Sequence, residues 1–229
     1  MQFNTRTREV TLKVVYYGPA LSGKTTNIEA LHRLLSPDAR GRLMTLDTRG
    51  DRTLFFDLLP VHFVTRTGYK VKLKLFTVPG QVVHESTRKI VLQSTDAVCF
   101  IADAQRNQRG ANNEAYTGLR RNLESNGIDP TTVPTVIQFN KLDLPDVLSD
   151  AEIATYARQG TEPVFRAVAL RGEGVLETLR GCLALLWQAL EEQHGFSRML
   201  GVSQNEFLGR IFQSVTTQSA GGHSAGGRR

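Results

Sequence analysis

Apolar runs alternate with stretches of helical periodicity along this chain. Runs at 10–17, 61–66, 70–77, 97–103, 134–139 and 164–169 predict strands. Segments 24–35, 84–93, 111–126, 150–158 and 174–193 predict helices. The stretches 97–102 and 135–139 are nearly continuously apolar, as central parallel strands are when both sheet faces are covered. Val175, Leu179, Leu183, Leu186 and Leu190 form a core-facing stripe on the last long helix. Alternating strands and helices predict an α/β fold: a mostly parallel six-stranded sheet with helices on both faces. One step breaks the alternation. Runs 61–66 and 70–76 are separated only by Thr67-Gly68-Tyr69, which predicts one antiparallel hairpin. Lys70, Lys72 and Lys74 interleave with Val71, Leu73 and Leu75, so one face of that hairpin is expected in water, where its charges also discourage edge pairing.

The chain has 229 residues, 40% of them apolar, which suffices for one buried domain with residues to spare. That domain is expected to span 1–195. An extension over 196–215 follows, in which Ser203 and Glu206 can form a capping box. Phe207, Leu208, Ile211, Phe212 and Val215 then share one stripe, predicting a short amphipathic helix at 204–215. Such a helix can pack on its own domain, meet a partner or touch a membrane; Arg210 as its one basic residue makes the membrane the weakest option. The glycine- and serine-rich 216–229 reads as disordered. No apolar run approaches the ~20 residues that span a bilayer. Residues 1–8 do not resemble a secretory signal, and neither myristoylation nor C-terminal lipidation chemistry is present. Cys99 and Cys182 read as buried thiols without metal-ligand spacing, in keeping with a cytoplasmic protein. A net charge of +6 admits nucleic acid, but no aromatic-interleaved basic stripe supports it, and a nucleotide site plus surface arginines accounts for the balance.

Candidate chemistry begins at Gly18-Pro-Ala-Leu-Ser-Gly23-Lys24-Thr25, directly after the first strand. This is the P-loop pattern G-x-x-x-x-G-K-[ST]. Its glycines let successive N–H groups face a polyphosphate, and a helix starting near Lys24 aims its positive end at the same anion. Lys24 can reach the terminal phosphates, and Thr25 offers a hydroxyl to Mg²⁺. Gly23 and Thr26 complete the expected nucleotide contacts of this loop. Eight matching positions and both flanks argue against an ordinary glycine turn.

Asn140-Lys141-Leu142-Asp143 stands at the carboxyl end of a predicted parallel strand, where a ligand crevice is expected. Guanine presents two donors that one carboxylate, Asp143, can accept together. Adenine would leave that carboxylate unpaired. Thr77-Val-Pro-Gly80-Gln81 ends another strand: Gly80 can meet a γ-phosphate through its N–H, and Gln81 can orient water. Without the phosphate loop it would read as an ordinary Pro-Gly turn. In the loop around Asp51-Arg52-Thr53, Thr53 can complete Mg²⁺ coordination and Arg52 can place charge on the transferring phosphate; both readings rest on context.

With these motifs in place, the chain resembles the Ras-like small GTPases and, more narrowly, the bacterial MglA group that governs cell polarity and motility. The resemblance covers roughly 8–193. Its most specific parts are the Val-Tyr-Tyr-Gly-Pro before the loop, the segment from Asp51 to Asp57, and Thr77-Val-Pro-Gly-Gln, where most Ras-like proteins carry aspartate at the first position. The resemblance implies a GTP/GDP- and Mg²⁺-binding switch. Gly18, Lys24 and Thr25 would hold phosphates and Mg²⁺, Thr53 and Gly80 would sense the γ-phosphate, and Arg52 and Gln81 would support hydrolysis. Asn140, Lys141 and Asp143 would hold guanine, with the backbone N–H of Ala169 meeting its O6. It also implies a roadblock-domain activator of the MglB type, a GTP-dependent effector and recruitment to cell poles.

Two departures qualify that picture. Val168-Ala169-Leu170 stands where Ser-Ala-Lys is usual, reducing side-chain support for base and ribose. Thr77 carries no charge, so a weaker Mg²⁺ dependence of nucleotide affinity is expected than in relatives with aspartate. The leading reading is a slow GTPase accelerated by a partner. The alternative is a GTP-binding scaffold with little or no hydrolysis. A P-loop kinase or ATPase is opposed by Asp143, and a nucleic-acid binder is the remote fourth reading.

Overall fold

The computed structural model describes residues 1–47, 55–79 and 85–212. Its strands are β1 (Gln2–Asn4), β2 (Glu9–Tyr17), β3 (Met44–Asp47), β4 (Phe55–Val64), β5 (Lys70–Thr77), β6 (Ala97–Asp103), β7 (Thr135–Asn140) and β8 (Val164–Arg166). Its helices are α1 (Lys24–Leu34), α2 (Glu85–Leu92), α3 (Arg109–Ser125), α4 (Asp150–Gln159), α5 (Val175–His194), α6 (Phe196–Leu200) and α7 (Gln204–Phe212). The strands form one sheet of order β3-β4-β5-β2-β6-β7-β8, with β1 antiparallel to β2. From β5 to β8 the pairing is parallel, and β4 joins β5 antiparallel as the hairpin predicts.

Among the described residues the sheet has eight strands rather than six. Both additions, β1 and β3, are short and lack a strong apolar pattern; they are recruited by pairing, not by burial. β4 also begins well before the predicted position 61. Pro60 lies within β4 beyond its last pair with β3, Leu58 with Met44, and its carbonyl accepts from the N–H of Gly41.

Two apolar layers cover the sheet. Leu12, Val14 and Leu73 pack with Ile28 and Leu31 of α1 and Leu179, Leu183 and Leu186 of α5. On the other face Val15, Val98 and Phe100 pack with Leu92 of α2, Leu119 of α3 and Ile153 of α4. The lysine face of β5 lies beyond this second layer and is largely exposed.

The helices after residue 195 join the first layer. Phe196, Leu200, Phe207, Ile211 and Phe212 are buried in it. Trp187 stands 5.0 Å from Phe196 and 5.1 Å from Phe207, ring centre to ring centre. Phe63 of β4 meets Phe207 edge-on at 5.6 Å. Each such pair contributes about 0.5–1.5 kcal/mol beyond area burial. Apolar burial thus dominates the docking, and the exposed Arg66–Glu206 pair adds little. The expected capping box is half made: Ser203 Oγ accepts from the N–H of Glu206, while the Glu206 carboxylate turns to Arg66. Positions 213–229, including Val215 and the tail read as disordered, lie outside the described residues.

Candidate functional site

β2 carries the chain to the carboxyl edge of the sheet, and the loop after it turns into α1. The turn requires unusual backbone. Gly18 has φ of 146°, Leu21 of 61° and Gly23 of 96°. A Cβ on Gly18 would stand 2.2 Å from the carbonyl oxygen of Ile101, and one on Gly23 would stand 2.2 Å from Asn140 Nδ2. Glycine is therefore demanded twice, by backbone shape and by close approach. Leu21 holds its left-handed conformation with a side chain 88% exposed, so the strain gains no packing there.

Lys24 is buried at the first position of α1, and its Nζ donates to the carbonyl oxygens of Gly18 at 3.0 Å and Pro19 at 2.5 Å. Burial, then repulsion from Arg88 and Lys141, pushes its ammonium down to about 7. A buried cation whose acceptors among the described residues are all neutral is a site that favours an anion. The first turn of α1 carries no acidic residue to compete for it. Thr26 is half-buried in the same turn.

A second cluster faces this loop. Thr25 Oγ1 donates to Asp57 Oδ2 at 2.7 Å, Thr77 Oγ1 to the same oxygen at 3.0 Å, and Thr45 Oγ1 to Asp57 Oδ1 at 3.0 Å. The register explains the gathering. Leu58 pairs with Phe76 and Thr45 with Asp57, so three strand positions converge on one carboxylate. Asp57 is buried, and its own N–H donates to Thr77 Oγ1 at 2.8 Å. The absent aspartate at 77 is thus answered from the neighbouring strand. This removes the premise for a weakened Mg²⁺ dependence. An all-oxygen set with one carboxylate beside a phosphate loop suits Mg²⁺, which is commonly held by one or two carboxylates plus phosphate. Thr25, Thr45, Asp57, Thr77 and Pro79 line a cavity of about 510 Å³ together with Lys24.

Arg88 was not legible as a site residue. It is buried on α2, and its Nε donates to the Pro79 carbonyl at 3.0 Å, holding the turn that leads to Gly80. Arg52, Thr53, Gly80 and Gln81 themselves lie outside the described residues.

The purine motif follows β7. Asn140 Nδ2 donates to the carbonyl of Ser22 at 2.8 Å, and its Oδ1 accepts from the N–H of Ala169 at 2.9 Å. One buried side chain therefore ties the phosphate loop to the segment after β8. The same bond engages the Ala169 N–H that the resemblance assigns to guanine O6, so in this geometry that N–H faces Asn140. Lys141 adopts φ of 66° and places Nζ 2.6 Å from Asp103 Oδ2. Asp143 is exposed and accepts no hydrogen bond within the described residues. Its carboxylate is available to a ligand.

The pattern of the ADP-ribosylation factor family matches residues 3–183. The chain belongs to this family of small GTPases. It is 40% identical over 189 residues to the mutual gliding-motility protein MglA of Myxococcus xanthus, covering 82% of this chain and 97% of that protein. ADP-ribosylation factor-like protein 6 of Caenorhabditis elegans is 24% identical over 188 residues, covering 80% of this chain and 90% of the relative. Its counterpart in Caenorhabditis briggsae is 26% identical over 189 residues, covering 79% and 89%. The family fold is the one described above: a largely parallel sheet flanked by helices, with a P-loop and one antiparallel hairpin. No helix among the described residues is long and apolar enough to cross a membrane.

Proposed function

We propose that this small GTPase binds GTP with Mg²⁺, hydrolyses it slowly to GDP, and signals the difference to a partner. The observation that carries the reading is Asn140, which bonds the phosphate loop on one side and the segment at Ala169 on the other. A triphosphate and its guanine are thereby read by one rigid unit. Lys24 would leave the Gly18 and Pro19 carbonyls for phosphate oxygens. Thr25 and Asp57 would hold Mg²⁺, which supplies charge neutralisation at the β- and γ-phosphates. Asp143 would accept from guanine, and Gly18 and Gly23 would bring backbone N–H groups to the anion.

Thr53 and Gly80 would respond to the γ-phosphate, while Arg52 and Gln81 would place charge and water for hydrolysis. A protein that supplies its own arginine needs a partner only to order it. We assign that role to a roadblock-domain protein of the MglB type, with an effector that binds the GTP form. The 40% identity with a gliding-motility protein supports control of cell polarity or motility, in the cytoplasm and at its poles. Single-turnover GTP hydrolysis with and without a roadblock partner tests the proposal. Arg52→Ala and Gln81→Leu should each keep GTP binding and lose stimulated turnover; normal stimulation in both would refute the assignment. Nucleotide binding with no turnover under any condition would leave only the scaffold reading.

A further inference from the structure

A second cavity lies apart from the phosphate cradle. A cleft of about 580 Å³ opens between α3 and α4, over β6 and β7. Phe100, Ala102, Ile137 and Phe139 form its floor, with Tyr116 and Tyr156 on its two walls. The aromatic rings are held in two pairs: Phe100 with Tyr116 at 5.1 Å and 88°, and Phe139 with Tyr156 at 5.2 Å and 49°. Two side-chain bridges involve its lining. Tyr116 Oη donates to Glu162 at 2.5 Å. Arg106 grips Glu152 in a fork of 2.5 and 2.6 Å.

Charge selects the ligand class. Four charged residues line the cleft: Asp103, Arg106, Arg109 and Glu152. Asp103 is paired with Lys141, and Glu152 with Arg106. Arg109 is exposed and has no ion-pair partner among the described residues. It also opens α3, where no side chain caps the helix. The cleft therefore combines an aromatic interior with one positive charge at its rim that no described residue answers.

We infer that the α3–α4 cleft is a second ligand site, for a planar aromatic molecule bearing one acid group, linked to the purine turn through Asp103. The ring would lie between Tyr116 and Tyr156, and the acid would pair with Arg109. The volume falls within the range of small-molecule pockets. The link is direct. Asp103 lines the cleft, exchanges backbone hydrogen bonds with the Asn112 side chain of α3, and holds Lys141 of the purine motif. An acid placed nearby strengthens the negative field on Lys141 and steadies that turn. This second clause rests on the guanine-binding proposal; the ligand site itself does not.

The probes are 8-anilinonaphthalene-1-sulfonate and its uncharged parent 1-anilinonaphthalene, titrated by fluorescence into the full chain without nucleotide. The sulfonate should bind about tenfold more tightly than the parent, as one added charged contact allows. Arg109→Glu should erase that preference. Asn113→Trp, from an exposed position on the α3 wall, should block both probes. Circular dichroism confirms that each variant is folded. Equal affinity for the two probes, or undiminished binding in Asn113→Trp, overturns the site. Release of radiolabelled GDP should slow about fivefold at saturating sulfonate, within the usual span of coupling between sites. An unchanged rate overturns the link alone. A chain that binds the sulfonate as expected but retains no GDP refutes the guanine proposal and leaves the cleft standing.

Discussion

The two ends of the nucleotide crevice are prepared in opposite ways. At the phosphate end the charges are already engaged by the protein: Lys24 with two carbonyls, Asp57 with three hydroxyls. At the purine end Asp143 is exposed and accepts no hydrogen bond from a described residue, while its scaffold, Asn140 and Lys141, is bonded. The difference follows from burial. A charge taken from water must be satisfied at once, whereas a carboxylate at the surface can wait in solvent. On the proposed function, ligand binding would be an exchange of partners at one end and a gain of partners at the other.

The strongest challenge to this contrast is Lys24→Met. It removes the buried ammonium proposed to meet the phosphates and should weaken GTP and GDP binding about 1,000-fold, read by calorimetry. Weakening of less than tenfold would mean that the cradle's N–H groups suffice. Asp143→Asn should follow, costing about 100-fold in guanine preference over adenine in competition binding, with the melting temperature of the free protein unchanged. A large change in melting temperature would show that the carboxylate is structural after all. Asp57→Asn should lower nucleotide affinity about tenfold in Mg²⁺ and leave affinity in chelator nearly unaltered. Equal affinity in Mg²⁺ for variant and parent would return the metal to Thr25 and Thr53 alone.

The smallest effect is a proton. Burial holds free Lys24 near 7, well below its unfolded value of 10.5. Above pH 7 the unfolded chain then binds more protons at this residue than the folded one, so its contribution to the stability of the free protein rises from pH 7 towards 10.5. A bound polyphosphate restores the charge and removes that slope. Binding GDP at pH 8.5 should take up close to one proton, measured by calorimetry in buffers of differing ionisation enthalpy. Lys24→Met should take up none; equal uptake in the variant would trace the proton to another group.

Much of the fold was legible because burial leaves a local trace. β6 is buried at every position, and its apolar run marks it without ambiguity. β1 and β3 left no such trace, since pairing is decided by a neighbour rather than by composition. Within the site, Lys24, Thr25, Asn140 and Asp143 were readable from spacing, for each belongs to a turn whose shape a few adjacent residues dictate. Arg88 and Asp57 were not. Arg88 looks like any helical arginine until its contact with the Pro79 carbonyl is seen.

By itself, then, the sequence pointed to the ligand class, through glycines and side chains whose pattern is complete within a single turn. Tertiary structure alone decided which carboxylate stands beside Thr25 and where the last helix lies. Asp57 reaches Thr77 only because antiparallel register sets Leu58 opposite Phe76, a pairing about twenty residues apart. Phe207 reaches Trp187 and Phe63 only once the sheet exists to receive it. Contacts between distant segments depend on register and packing, and no short stretch of chain encodes either.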